Sequence, residues 1–118
     1  MKIKTCKLKP PALDWIVAEI ENTPTNKGPV DWWQRTEEGL LFNPYYQEVY
    51  SPSTLWEQGG LIIEAEKLTI GPAKNEGFMA WAFPKGHGSW GDTYLIAAMR
   101  CFVASKLGNV IDIPEELL

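Results

Sequence analysis

The sequence predicts an α+β domain: a small antiparallel sheet, two main helices at about 11–21 and 93–107, and long irregular connections. Three observations predict it. Between Asp92-Thr93 and Gly108, apolar Leu95, Ala98, Met99, Phe102 and Val103 recur at helical spacing. An N-cap oxygen and a glycine able to turn left-handed bound that stripe at its two ends. Leu13, Ile16, Val17 and Ile20 repeat the pattern over 11–21. The run 78–83 alternates instead, with Met79, Trp81 and Phe83 opposite Ala80 and Ala82, and it reads as a hairpin partner for 68–70. A helical stripe beside an alternating hairpin is the pattern of helices packed on an antiparallel sheet.

Taken in order, Lys2 to Leu8 reads as a short strand whose alternation slips at Thr5-Cys6, which predicts a bulge or an early end. Pro10 and Pro11 stop pairing and open the first helix. Asp14 falls in its first turn, where a carboxylate suits the helix dipole; the alternative is a site acid. Residues 22–53 form an irregular, aromatic-rich segment, a candidate insertion within a single domain spanning 1–118. Ser53 or Thr54 caps one short turn, which Gly59-Gly60 is expected to end. At 61–67 the paired isoleucines favour a strand and Ala65-Glu66-Lys67 a helix; a short helix is the reading adopted. Residues 84–91 read as a glycine-rich loop feeding the second main helix. Val110 to Ile113 runs extended, and one turn closes the chain.

Composition excludes several functions. With a net charge of −4, nonspecific binding to nucleic acid is disfavoured. The basic cluster Lys2, Lys4, Lys7 and Lys9 reads as the solvent face of an edge strand. No apolar run is long enough to span a membrane, and the start lacks the apolar core of a secretory leader. Cys6 and Cys101 then read as structural thiols of a cytoplasmic protein, without a disulfide.

No catalytic constellation emerges. His87, the one histidine, stands in the loop with Ser89 and Asp92 close by, and three such residues in one loop rarely reach triad geometry. One histidine and two distant cysteines make a poor metal set, so no metal and no cofactor are expected. The run Gly86 to Gly91 lacks the Lys-Ser/Thr of a phosphate loop and is followed by Asp92, which would repel a phosphate. Arg100, inside an apolar helix, reads as an ion pair or carbonyl anchor. Its functional alternative is an anion-binding group near Trp56 or Trp90.

Ala12 to Trp15, Tyr50 to Thr54, Trp56 to Glu64, Leu95 to Gly108 and Val110 to Leu117 together resemble the NinX family of phage and prophage proteins. The resemblance leaves out roughly residues 22–49. Where relatives carry a proline after the paired glycines, this chain has Leu61, which removes support for a helix start there. The resemblance implies a small phage accessory protein in the cytoplasm of a bacterial host, and it carries over no catalytic residue. The function expected is a non-catalytic protein-interaction module, with a host or phage protein or a second copy of itself as partner. Trp32, Trp33, Phe42, Tyr45 and Tyr46 supply its expected surface, since aromatic side chains dominate interfaces. The alternative is a small-ligand (anion) binder or enzyme built on the 56–60 and 84–92 loops, with Trp56, Gln58, His87, Trp90 and Arg100 as ligand contacts.

Overall fold

Helix α3 (Tyr94–Leu107) is the centre of the molecule. A computed structural model describes residues 1–22, 33–37, 40–74, 76–82 and 87–117. Among these, α3 packs against elements from both ends and the middle of the chain. Its start is fixed by the Thr93 side chain, which accepts from the Ile96 N–H at 3.1 Å. Its end is fixed by Gly108 at φ +91°, conformational space that glycine enters without strain. Leu95, Met99, Phe102 and Val103 are all 3% exposed or less. Burying a side chain such as Phe102 contributes about 1.5–3 kcal/mol.

Among the described residues, three small antiparallel sheets and three α-helices make an α+β fold. Strand β1 (Lys2–Lys4) pairs with β8 (Val110–Asp112), Ile3 opposite Ile111, so the two ends of the chain close on each other. The strand ends early, as its broken alternation predicted. Thr5–Lys7 turns into a 3-10 helix, and the Thr5 hydroxyl donates to the Gly108 carbonyl at 2.7 Å. Lys2, Lys4, Lys7 and Lys9 are all exposed. Helix α1 (Ala12–Glu21) buries Leu13, Ile16 and Val17 against the core and ends at Asn22 in the left-handed region.

The segment expected to be irregular holds a second sheet: β2 (Gln34–Arg35), β3 (Leu41–Asn43) and β4 (Glu48–Tyr50), in that order. Strands of two or three residues span at most one and a half periods of alternation, so the sequence carries little trace of them. Asn43 makes the β3–β4 turn, its side-chain oxygen accepting from the Tyr45 N–H at 2.9 Å. Trp33, Leu41 and Tyr50 belong to the same buried cluster as the α1 and α3 residues.

Helix α2 (Trp56–Glu66) corrects the expected stop at Gly59-Gly60: it runs through both glycines and takes in most of 61–67. A Cβ on Gly59 would overlap the Pro52 carbonyl and lie 2.7 Å from a Leu95 methyl. The glycine is there for close approach of α2 to its neighbours, not to end the helix.

The expected hairpin forms the third sheet, from β5 (Leu68–Pro72), β6 (Phe78–Ala82) and β7 (His87–Gly91). Residues 87–91, read from sequence as loop, are its edge strand. A Cβ on Gly91 would lie 2.6 Å from the Ala97 nitrogen, so α3 crosses directly over β7. Ala80, fully buried on that side, also lets the helix lie close. Trp81 and Met79 stand opposite Gly88 and Trp90 on the other face. Among the described residues, no helix is long and apolar enough to cross a membrane.

Candidate functional site

The starts of α2 and α3 converge on an open groove of about 340 Å³. Trp56, Phe78, Tyr94, Leu95 and Ile96 give it apolar walls, and Ser53, Thr54 and Thr93 add hydroxyls. Phe78 and Tyr94 are stacked at an angle, with ring centroids 4.3 Å apart. Trp56, the first residue of α2, is 54% exposed, a large apolar surface left in water beside the groove.

A buried polar network places this wall. Asp14, 2% exposed, projects from α1. Its carboxylate accepts from the Ser53 N–H at 2.9 Å and from the Ser51 and Ser53 hydroxyls, both at 3.0 Å. Thr54 joins through its own hydroxyl, in a short hydrogen bond with that of Ser51. From α2, the Gln58 carboxamide accepts from the Ser51 N–H at 2.6 Å and donates to the Val49 carbonyl at 2.7 Å. One carboxylate and one amide thus tie α1, β4 and α2 together and fix the turn that presents Trp56. Burial holds the Asp14 carboxyl above the usual carboxylate value, while the bonds from Ser53 and Ser51 pull it back. Burial likewise raises the Tyr50 phenol, which the carboxylates of Glu21 and Asp14 push in the same direction.

Arg100 is 8% exposed and works as a clamp. Its Nε donates to the Leu8 carbonyl and its Nη1 to the Trp90 carbonyl, each at 2.8 Å. It thereby fastens the chain before α1 to the β7 edge. Burial lowers its pKa and the Asp92 charge opposes that. Trp90 is 46% exposed, and its indole donates to the Glu76 carbonyl at 2.9 Å.

The structure therefore distributes the residues expected to contact a ligand. Trp56 lines the groove, Gln58 is buried in hydrogen bonds to Ser51 and Val49, and Arg100 and Trp90 hold backbone. The His87 side chain lies outside the described part of the structure. Of the expected partner surface, Trp33 is 6% exposed and meets Tyr50 edge-on at 5.6 Å. Phe42 is half-buried, and Tyr45 and Tyr46 are 81% and 46% exposed at the tip of the β3–β4 turn. Trp32 lies outside the described residues. Sequence reasoning did not single out Phe78, Thr93, Tyr94 or Ile96 as site residues. The available signal was an aromatic and a hydroxyl at each of two helix starts, Thr54 with Trp56 and Thr93 with Tyr94.

The Ser53 hydroxyl is committed to Asp14 and is 1% exposed, which withholds it from an incoming substrate. Among the described residues, no group of three or more His, Cys, Asp and Glu is placed to hold a metal. Of the two cysteines, Cys6 is exposed and Cys101 is buried.

The family model described as Bacteriophage P22, NinX matches residues 4–106. This chain belongs to the NinX family. The matched span holds the whole groove, the Asp14–Gln58 network and Arg100, and it includes the 22–49 region that the sequence resemblance left out. The ending at 110–117 lies beyond it. Among curated proteins, none is similar enough to count as a match. Membership in NinX supports a phage accessory protein.

Proposed function

We propose that this NinX-family protein is a single-domain, non-catalytic module that acts in the cytoplasm of the bacterial host by docking another protein, host or phage, in the groove at the starts of α2 and α3. The observation that carries the reading is Trp56, 54% exposed against a groove to which Phe78, Tyr94, Leu95 and Ile96 give apolar walls. Buried tryptophans and tyrosines dominate binding energy at interfaces, and burying such a ring removes a large apolar area from water. The hydrogen bonds that hold Ser53 and Thr54 of the groove to Asp14 and Ser51 support this, because a site held in place before binding costs less to order. Tyr45 and Tyr46 offer a second contact at the β3–β4 turn.

The anion-binding alternative has less support. Gln58 and Arg100 both direct donors at backbone carbonyls of their own chain. The test is affinity capture from infected cells with wild-type protein, Trp56→Ala and Tyr45→Ala, each first shown to melt cooperatively. Wild type should retain one partner in stoichiometric amount, and Trp56→Ala should lose it. A folded Trp56→Ala protein that captures the same partner equally well would remove the groove from the account. Sedimentation of the wild type alone separates a second copy from a foreign partner.

A further inference from the structure

Strand β7 is bonded on one side: in the order β5-β6-β7 its neighbour among the described residues is β6. The ladder shows which of its backbone groups are left over. The Ala73 N–H donates to the Gly77 carbonyl at 3.1 Å and closes the β5–β6 hairpin. The next pair, Pro72 with Phe78, is then of the non-hydrogen-bonded kind, which suits a proline without an N–H. Alternation along β6 turns the backbone groups of Met79 and Trp81 to β5 and those of Ala80 to β7. Ala80 stands opposite Ser89, so Gly88 and Trp90 point their N–H and C=O groups away from β6. The Trp90 carbonyl agrees, since it accepts from Arg100. Arg100 bridges that outer side to the Leu8 carbonyl. Two residues along the same edge the gap is open. A cleft of about 200 Å³ is lined there by Gly88 and Ser89 together with Lys4, Cys6 and Val110 from the joined ends of the chain. Gly88 is exposed and has no side chain, so it offers backbone to this cleft. Edge strands are ordinarily blunted by lysine, proline or a bulge. Strand β5, at the other edge, ends in Pro72, whereas His-Gly-Ser-Trp-Gly pairs without interruption and has neither residue.

We propose that this cleft takes one extended segment of another protein, carrying an acidic side chain, as a fourth strand on β7. The outward N–H and C=O of Gly88 pair with the backbone of the segment, the mode by which sheet edges capture peptides. Lys4 is the charged residue among those described as lining the cleft, and it complements the carboxylate. Val110, opposite Lys4 across β1 and β8 and exposed, meets an aliphatic neighbour of that residue. A second copy adding its own β7 is disfavoured. Lys4 and Cys6 flank this edge in every copy, which leaves room for a single strand and not for a sheet with its own flanking chain. The cleft and the groove share no described lining residue, so this inference goes beyond the docking reading and is tested separately from it.

The test titrates the isotope-labelled full chain with acetyl-Thr-Val-Glu-Val-Thr-amide and follows amide NMR shifts and hydrogen exchange. Two further peptides are compared with it, one with lysine in place of glutamate and one N-methylated at its three central residues. The glutamate peptide should shift the amides of Gly88, Ser89 and Trp90 most and slow exchange at Gly88. The N-methylated peptide, which has no central N–H to pair, should do neither. The lysine peptide should bind roughly threefold more weakly, and Lys4→Glu should reverse that order. Added salt should weaken the glutamate response. Gly88→Pro removes the outward N–H and leaves the bonds to β6 in place, the setting in which a strand tolerates proline. It should fold and lose the response; if it fails to fold, the N-methylated peptide decides. Three results would overturn the proposal: shifts centred away from 88–90, an N-methylated or lysine peptide as effective as the glutamate one, or no response to the glutamate peptide at millimolar concentration.

Discussion

Asp14 is a carboxyl buried among hydroxyls and a backbone N–H, and its titration should be visible in the stability of the protein. Its folded pKa is raised above the ordinary 3.8, with desolvation the largest cause. The native state therefore binds this proton more tightly than the unfolded chain. The contribution is fully present below pH 3.8 and is lost as pH rises through the raised folded value. Glu21 is raised as well, by its own burial and the nearby Glu66, so a variant comparison is needed to isolate Asp14. The stability of wild type relative to Asp14→Asn, from urea unfolding across pH, should fall as pH rises through that window and then level off. A difference that rises with pH would mean that the hydrogen bonds outweigh burial.

Arg100 gives a second prediction at this scale. Arg100→Leu leaves the Leu8 and Trp90 carbonyls without their donors, at about 1–3 kcal/mol for each that water cannot reach. Arg100→Lys should fall between Leu and wild type in urea midpoint, because an ammonium lacks the planar fork that reaches both oxygens. Trp33 and Tyr45 make a contrasting pair. Trp33→Ala should cost about 3–5 kcal/mol, whereas the exposed Tyr45→Ala should stay within about 0.5 kcal/mol in the same assay.

At the level of elements, Gly59 and Gly60 are adjacent in α2 and differ in surroundings. Gly59→Ala meets the Pro52 carbonyl and a Leu95 methyl and should lower the melting temperature despite better helix propensity. Gly60 has nothing within 4 Å of its Cβ position, so Gly60→Ala should stabilise by about 0.5–1 kcal/mol. Equal effects from the two would contradict the packing of α2 on α3.

The same pair shows what the sequence could and could not reveal. Helix α3 was legible because its cap, stripe and stop are all local, and β6 because its residues alternate visibly; β5 was read only over 68–70, since Gly71 and Pro72 look like the start of a turn. Helix α2 was misread because paired glycines are a local stop signal, overridden here by a close approach that only tertiary structure creates. Strand β7, His-Gly-Ser-Trp-Gly, has no β-branched residue; pairing with β6 and the passage of α3 over Gly91 make it a strand. Of the groove, Trp56 stood out from sequence as a large aromatic at a turn. Phe78 and Tyr94 did not, because no local signal marks either one until the fold brings them together.

For the whole molecule, the two ends close through β1 and β8, while the groove lies where the middle of the chain meets the start of α3. The exposed lysines Lys2 and Lys4 on β1 are not among the residues that line the groove. In such a molecule, binding is expected to bury one region and leave the rest of the surface unchanged. The most direct test is a hydrogen-exchange footprint of the captured complex against the free protein. Slowed exchange should concentrate in residues 53–57, 78 and 93–97 around the groove. Protection confined to the 43–47 turn or to β1 and β8, with the groove exchanging as in the free protein, would contradict the assignment of this groove as the docking surface.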